Sequence, residues 1–265
     1  MKKPNIVFFV ALLVSIQLFV FTGYVFALTG YEVAQRVEKA GEGFEDSVSS
    51  LTMTLINSNG GKSIRKMTMK ILEGPAGSKS EGDRSIITFL SPADIKGTGL
   101  LTYENLDRAD DQWLYLPALK RIKRIASKNK SGSFMGSEFS YEDISSQALE
   151  KYTYGEAVTR EMVDGISCYK FERYPKDKDS GYTSQTVWVH DTEYTVRKTD
   201  YYDRKKALLK TAFFSGYRKI KGVWRTGKIH MMNHQNRKET ILEWTSEELK
   251  TGLKKRDFTK RMLTR

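Results

Sequence analysis

The sequence predicts a mainly β protein: a strongly curved antiparallel sheet, sandwich or barrel, with a few helical segments for cover. Short stretches of alternating apolar and polar residues recur from about residue 51 to residue 244, the period-two signature of half-buried strands. Polar turns separate them, and only three places offer helical cover: the segment after Thr29, a stretch around 141–152 and the C-terminal tail. Many antiparallel strands joined by tight turns must bend, stack or close to bury their apolar faces.

The first element is a leader. Lys2 and Lys3 precede an apolar run from Ile6 to Phe21, and Val25-Phe26-Ala27 supplies a small-residue cleavage signal. Residues 1–27 are therefore expected to be a secretory signal peptide cut after Ala27. Left uncut, the same run is long enough to anchor in a bilayer. In both cases the remainder faces the non-cytoplasmic side. Leu28, not Cys, follows the cut, so the chain lacks an acceptor for a lipid anchor of its own there.

Residues 28–265 contain no linker, composition break or repeat, and a single domain is expected. The lone cysteine, Cys168, has no internal disulfide partner and lies in Ile166-Ser167-Cys168-Tyr169, which reads as strand interior. Formal charge is +12 for the chain, and +10 for residues 28–265, since Lys2 and Lys3 are the only charges before them. Such a balance favours acidic partners, although it also fits a merely solvated basic face. Export argues against nucleic acid and leaves anionic lipid headgroups or an acidic protein surface.

Thr29-Gly30-Tyr31-Glu32 has capping-box spacing, with Val33, Val37 and Ala40 on one helical face and Gly41 and Gly43 as the stop. Leu51, Met53 and Leu55 then alternate with threonines, Asn59-Gly60 turns the chain, and Met67, Met69 and Ile71 alternate on the way back. Further strands are expected at Ser85–Leu90, Gly99–Glu104, Gln112–Leu116, Ile166–Arg173, Gln185–His190, Thr195–Tyr202, Leu208–Tyr217, Val223–Met232 and Glu239–Trp244. Methionine is frequent on the early strands; Met53, Met67, Met69 and, later, Met135 suit either a surface that adapts to varied alkyl shapes or an irregular core.

Residues 111–143 stand apart. A hairpin-like pair of strands leads into a basic cluster, Lys120, Arg121, Lys123, Arg124, Lys128 and Lys130, and then into a Gly/Ser-rich loop bearing Phe134, Met135 and Phe139. It holds no nucleophile, metal cage or phosphate cradle. With Ile87-Thr88-Phe89-Leu90-Ser91-Pro92-Ala93-Asp94-Ile95-Lys96-Gly97-Thr98, Gln112-Trp113-Leu114-Tyr115-Leu116-Pro117, Gly132-Ser133-Phe134-Met135-Gly136-Ser137-Glu138-Phe139, Tyr201-Tyr202-Asp203-Arg204 and Asp257-Phe258-Thr259, the chain resembles the outer membrane lipoprotein-sorting protein family, larger relatives of the periplasmic carrier LolA. The resemblance spans nearly all of residues 28–265. It implies an unclosed half-barrel whose helices cap a concave hydrophobic face, with acyl chains held between. It also implies supply of that cargo, lipid or lipoprotein, by an inner-membrane transporter of the resistance-nodulation-division or Lol type. The long basic segment 119–131 departs from the pattern of LolA itself, so the cargo need not be a lipoprotein.

On this reading Met53, Leu55, Met67, Met69, Phe89, Leu101, Trp113 and Tyr115 line the concave face. Phe134, Met135 and Phe139 form a lid or a membrane-touching tip, or fold back onto the sheet. The six basic residues dock at anionic headgroups or an acidic partner, each contributing about 1 kcal/mol near an anionic surface. His230 and His234 are four residues apart on a strand, roughly 13 Å, too far to share a zinc. Asp110-Asp111 and Glu142-Asp143 could supply paired carboxylates, but adjacent side chains on a strand point to opposite faces, and acidic pairs at loop ends are usually solvated. No hydrolase, phosphate-loop or dinucleotide fingerprint occurs. The expected function is a periplasmic carrier of acyl chains, with no cofactor or metal, no catalysis and transient contact with membranes. An envelope sensor that uses the same cavity to control docking to a protein is the alternative, ahead of a motif-poor hydrolase.

Overall fold

A computed structural model describes residues 28–264; the expected signal peptide lies outside the described residues. The chain enters through helix α1, Gly30–Gly41, which Thr29 and Glu32 close with the expected capping box. Six strands follow: β1 Asp46–Ile56, β2 Lys62–Leu72, β3 Glu81–Ser91, β4 Gly99–Asn105, β5 Asp111–Leu116 and β6 Arg121–Ile125. After a long irregular segment come β7 Tyr152–Tyr154, β8 Thr159–Val163, β9 Ile166–Pro175, β10 Tyr182–His190, β11 Val196–Asp203 and β12 Leu208–Ser215. A small hairpin, β13 Arg218–Ile220 and β14 Val223–Arg225, precedes β15 Lys228–Asn233 and β16 Glu239–Leu249.

All but that hairpin join one antiparallel sheet in the order β6-β5-β4-β3-β2-β1-β16-β15-β12-β11-β10-β9-β7, with β8 also paired to β9. The first and last strands do not pair, so the sheet stays open. Two side-chain contacts show how far it bends. Gln112 of β5 donates to the Tyr141 carbonyl at 3.0 Å, and Tyr182 of β10 donates to the Asp143 carboxylate at 2.9 Å. Those strands are nine steps apart in the sheet, roughly 43 Å if it were flat. One three-residue stretch reaches both because the sheet curls into a half-barrel.

The ends are also pinned. The Lys151 ammonium, just before β7, lies 2.9 Å from the carboxylates of both Glu104 on β4 and Asp110 beside β5. It thereby spans the mouth of the half-barrel between side chains that water barely reaches.

Each face has its own core. The concave face carries Leu51, Met53, Met67, Phe89, Leu100, Leu114, Ala212, Met231 and Leu242 in one buried cluster. Helix α1 covers the β9–β11 end of that face, with Val33 on Phe171, Val187 and Val189. The convex face near β3–β5 is covered by the C-terminal tail, whose Phe258 and Leu263 bury against Ile86 and Leu101. Cys168 is buried beside Trp188 and Val163, and burial pushes its thiol pKa up.

Three expectations need correction. Leu101, Trp113 and Tyr115, expected on the concave face, pack on the convex one with the C-terminal tail. The register explains it: Leu101 pairs with Trp113 while Leu100 pairs with Leu114, and it is the second pair that faces inward. The stretch 141–152 is not an α-helix; it holds turns and a single 3₁₀ turn, Leu149–Lys151. Ser140 and Asp143 bond each other's backbone N–H groups, at 3.3 and 2.6 Å, as Thr29 and Glu32 do at the start of α1. But Asp143 is also held by Lys210 and Tyr182 of the sheet, and the backbone that follows runs in turns. Finally, Val223–Met232 is two strands. The break falls at Gly227, where a Cβ would sit 2.3 Å from the Gly216 carbonyl oxygen.

Replacing Lys151 by Met leaves the Glu104 and Asp110 carboxylates buried without their cation. We expect a loss of about 3 kcal/mol in urea unfolding, the usual cost of breaking a buried ion pair. An unchanged midpoint would show that the pin contributes nothing.

Candidate functional site: a plugged concave face

The middle of the concave face is filled by the loop of residues 126–148. It folds back as a narrow hairpin: the Phe134 N–H donates to the Phe139 carbonyl at 2.7 Å, with Met135 and Gly136 at the tip in left-handed conformations. Phe134 is fully buried and its ring centroid lies 5.7 Å from that of Phe89 and 5.6 Å from that of Tyr141. Phe139 is buried in the same cluster, and Met135, Tyr141 and Ile144 pack against it. Of the expected cavity residues, Met53, Leu55, Met67, Met69 and Phe89 therefore share one surface with the plug. The loop aromatics do not project into solvent as a membrane-touching tip would.

A buried polar latch holds the plug. The Lys210 ammonium on β12 lies 2.5 Å from the Asp143 carboxylate and donates to the Glu138 carbonyl at 3.0 Å. Both side chains are about 95% shielded from solvent, at 4% and 5% exposure. Lys210 also faces the rings of Tyr182 and Tyr201, 5.1 and 5.5 Å from their centroids. The hydroxyl of Tyr182 donates to Asp143, and burial followed by the nearby Asp143 charge raises its pKa well above the phenol range. The Arg65 guanidinium donates to the Met135 carbonyl at the tip. Glu138 accepts from the side-chain amides of Asn233 and Asn236 at 2.7 and 3.1 Å.

Glu142 makes the last tie, accepting from the Ser180 hydroxyl at 2.8 Å and the Gly181 N–H at 2.9 Å. Burial, reinforced by the charge on Asp143, lifts its pKa to about 6. None of these latch residues was singled out as a site from the sequence. The signal for Lys210 was present: a single cation inside the apolar strand Leu208–Ser215 must find a buried anion.

The basic cluster is not one surface. Lys120, Arg121, Lys123, Arg124 and Lys128 are exposed, and of these Arg124 is paired with Asp111 at 2.5 Å. Lys130, expected at a docking surface, is instead buried and donates to the Asp110 carbonyl at 2.5 Å; burial lowers its pKa. On β6, Arg121 and Lys123 pair with Leu116 and Leu114 while Arg124 pairs with Trp113, so the strand sends its charges to both faces. His230 lies 2.6 Å from the Glu239 carboxylate, and His234 is 2.8 Å from the Thr211 hydroxyl. Among the described residues no three His, Cys, Asp or Glu side chains are grouped to hold a metal.

The open sheet is shared by solved structures. The chain superposes with a TM-score of 0.84 on an outer membrane lipoprotein-sorting protein domain from Vibrio parahaemolyticus, at 43% identity over 89% of this chain and 98% of that one. The chain belongs to the outer membrane lipoprotein-sorting protein family. A DUF1329 family protein from Desulfovibrio piger is 33% identical over 88% of this chain and 97% of that chain, with a TM-score of 0.82. A LolA superfamily protein from Nitrosomonas europaea shares the fold at 18% identity, covering 89% of this chain and all of its own, with a TM-score of 0.70. A family model described only as "uncharacterized protein" matches residues 81–265. No protein of curated function matches. None of these descriptions names a catalytic activity.

The latch has a pH signature. Folded Glu142 holds its proton more tightly than the unfolded chain does, so its contribution to stability falls as pH rises from about 4.5 to about 6 and is level above that. Glu142→Gln removes the slope. The variant should gain stability relative to the parent over that interval, by up to about 2 kcal/mol. Urea midpoints measured between pH 4 and pH 8 check this; parallel curves would refute it.

Proposed function

We propose that the protein is a periplasmic carrier that takes up acyl chains of a lipid or lipoprotein on its concave face and passes them between membranes without covalent change. One observation supports it above all. The inner face of the half-barrel is apolar and adaptable, and its centre is covered by an irregular loop instead of a regular element. A loop that inserts two phenylalanines can be displaced without breaking the sheet.

Magnitudes favour such an exchange. Burying Phe134 and Phe139 stabilises the plugged state by about 1.5–3 kcal/mol each. An acyl chain of fourteen carbons contributes on the order of 10 kcal/mol gross at about 0.8 kcal/mol per CH₂, before ordering costs. The two occupants are near enough in free energy to replace each other. The Lys210–Asp143 pair then stands as the element to be broken on loading and remade on release. The inner-membrane transporter expected to supply the cargo rests on the family resemblance. Lys120, Arg121, Lys123 and Lys128 are the exposed cations available for transient contact with a membrane.

Native mass spectrometry of the exported protein, followed by organic extraction, tests the carrier reading. Lipid should co-purify in defined stoichiometry, be lost on Met67→Asp with the circular dichroism spectrum kept, and load more readily on Phe134→Ala. A protein that remains unliganded after incubation with bacterial lipid extract would refute it. In vesicle co-sedimentation at low salt, replacing Lys120, Arg121 and Lys123 by Gln should weaken binding to anionic membranes by on the order of a hundredfold, at about 1 kcal/mol per residue. Equal binding across a salt series would remove the docking role.

A further inference from the structure

Beside the latch the surface opens into a cavity of about 630 Å³, walled by the plug loop, the β11–β12 turn and the β15–β16 turn. That volume lies in the range of small-ligand sites. Four cations line it: Arg204 and Lys205 from the first turn, Lys238 from the second, and Lys210 at its inner end. Its two acidic residues are already engaged. Asp203 accepts from the backbone N–H groups of Lys205 and Ala207 and from the Gln235 amide, while Glu138 accepts from Asn233 and Asn236. Among the described residues Lys205 and Lys238 have no carboxylate within ion-pair distance. Arg204 donates through Nε to the Ser180 carbonyl at 3.0 Å and through one terminal nitrogen to the Asp179 carbonyl at 2.8 Å. Those bonds fix the fork and, among the described residues, leave its other terminal nitrogen without a protein acceptor.

We propose that this cavity binds the oxyanion of a phosphate ester, with Arg204, Lys205 and Lys238 as its cations. A fixed guanidinium and two mobile ammonium groups match the several oxygens and the charge of a phosphate better than those of a single carboxylate. The remaining wall says where such a group would come from. Phe139 and Leu209 line the cavity and are also members of the concave apolar cluster, so a phosphate here sits at the rim of the surface assigned to acyl chains. The three cations stand on strand turns and stay in place when the loop moves. The assignment deepens the carrier reading by naming its cargo as a phospholipid, and rests on that reading for the lipid source only.

Isothermal titration of the purified protein with inorganic phosphate, dihexanoyl phosphatidate and the uncharged dihexanoylglycerol tests it. Lys205→Gln/Lys238→Gln changes two exposed side chains without hydrogen bonds of their own, and Arg204→Lys serves as a milder second variant. The expected result is that phosphatidate binds, and that the double variant loses at least tenfold in Kd for it while dihexanoylglycerol is unaffected. Tighter binding of phosphatidate than of inorganic phosphate identifies the lipid headgroup as the source. Phosphate binding with no response to either lipid would keep the site and refute the carrier reading. Lipid binding that the double variant and Arg204→Lys leave unchanged would overturn the site and keep the carrier, and no binding of any probe would overturn both.

Discussion

The concave side of the half-barrel depends on the pairing of Lys210 with Asp143. A cation on a central strand meets an anion on a loop, nearly out of reach of water, and the bond fixes where that loop lies. From this anchor the loop reaches Gln112 on one side of the opening and Tyr182 on the other. Phe134 is thereby seated against Phe89. The bend of the sheet, the filling of its inner face and the closing of its mouth by Lys151 are different views of the same constraint. An open sheet with an apolar inside must be covered, and here the cover is held by polar groups.

Such a cover differs in kind from a packed helix. Replacing a buried ion pair with apolar side chains is often neutral or stabilising, so the pair is poor as glue. Its value lies in geometry: the latch is either made, with both Asp143 oxygens accepting hydrogen bonds, or broken, with both charges seeking water. Apolar contacts between Phe134, Met53 and Met67 slide; Lys210 and Asp143 do not. A plug that must leave as a unit and return to one position is well served by such a contact. The methionines fit the same account. Met53, Met67 and Met69 accept either rings or alkyl chains against them, where β-branched side chains would present a fixed relief.

Much of this was legible in the sequence. Thr29 and Glu32 announced the helix because capping is local chemistry, and Met53, Leu55, Met67 and Met69 announced one shared face because alternation is local geometry. Family resemblance supplied the openness of the sheet. The face of β4 and β5 was misjudged because consecutive apolar residues, Leu100-Leu101 and Trp113-Leu114-Tyr115, carry no alternation, and both faces there are buried. Only the convex cover from Phe258 and Leu263, some 150 residues downstream in the chain, decides between them. The site was harder still. Asp143 reads as one of a solvated acidic pair until β12 brings Lys210 to it, and Lys130 reads as one more basic surface residue until Asp110 closes over it. Long-range pairing of charges leaves no periodic trace.

Hydrogen exchange of the plug loop with and without bound lipid tests the central claim most directly. The amides of Phe134, Ser137 and Tyr141, which donate to loop carbonyls in the plugged state, should exchange faster when lipid is bound in stoichiometric amount, while those of β1 and β2 keep their protection. Equal or greater protection of these loop amides in the loaded protein would contradict displacement of the plug, and with it the account of the concave face as a carrier surface.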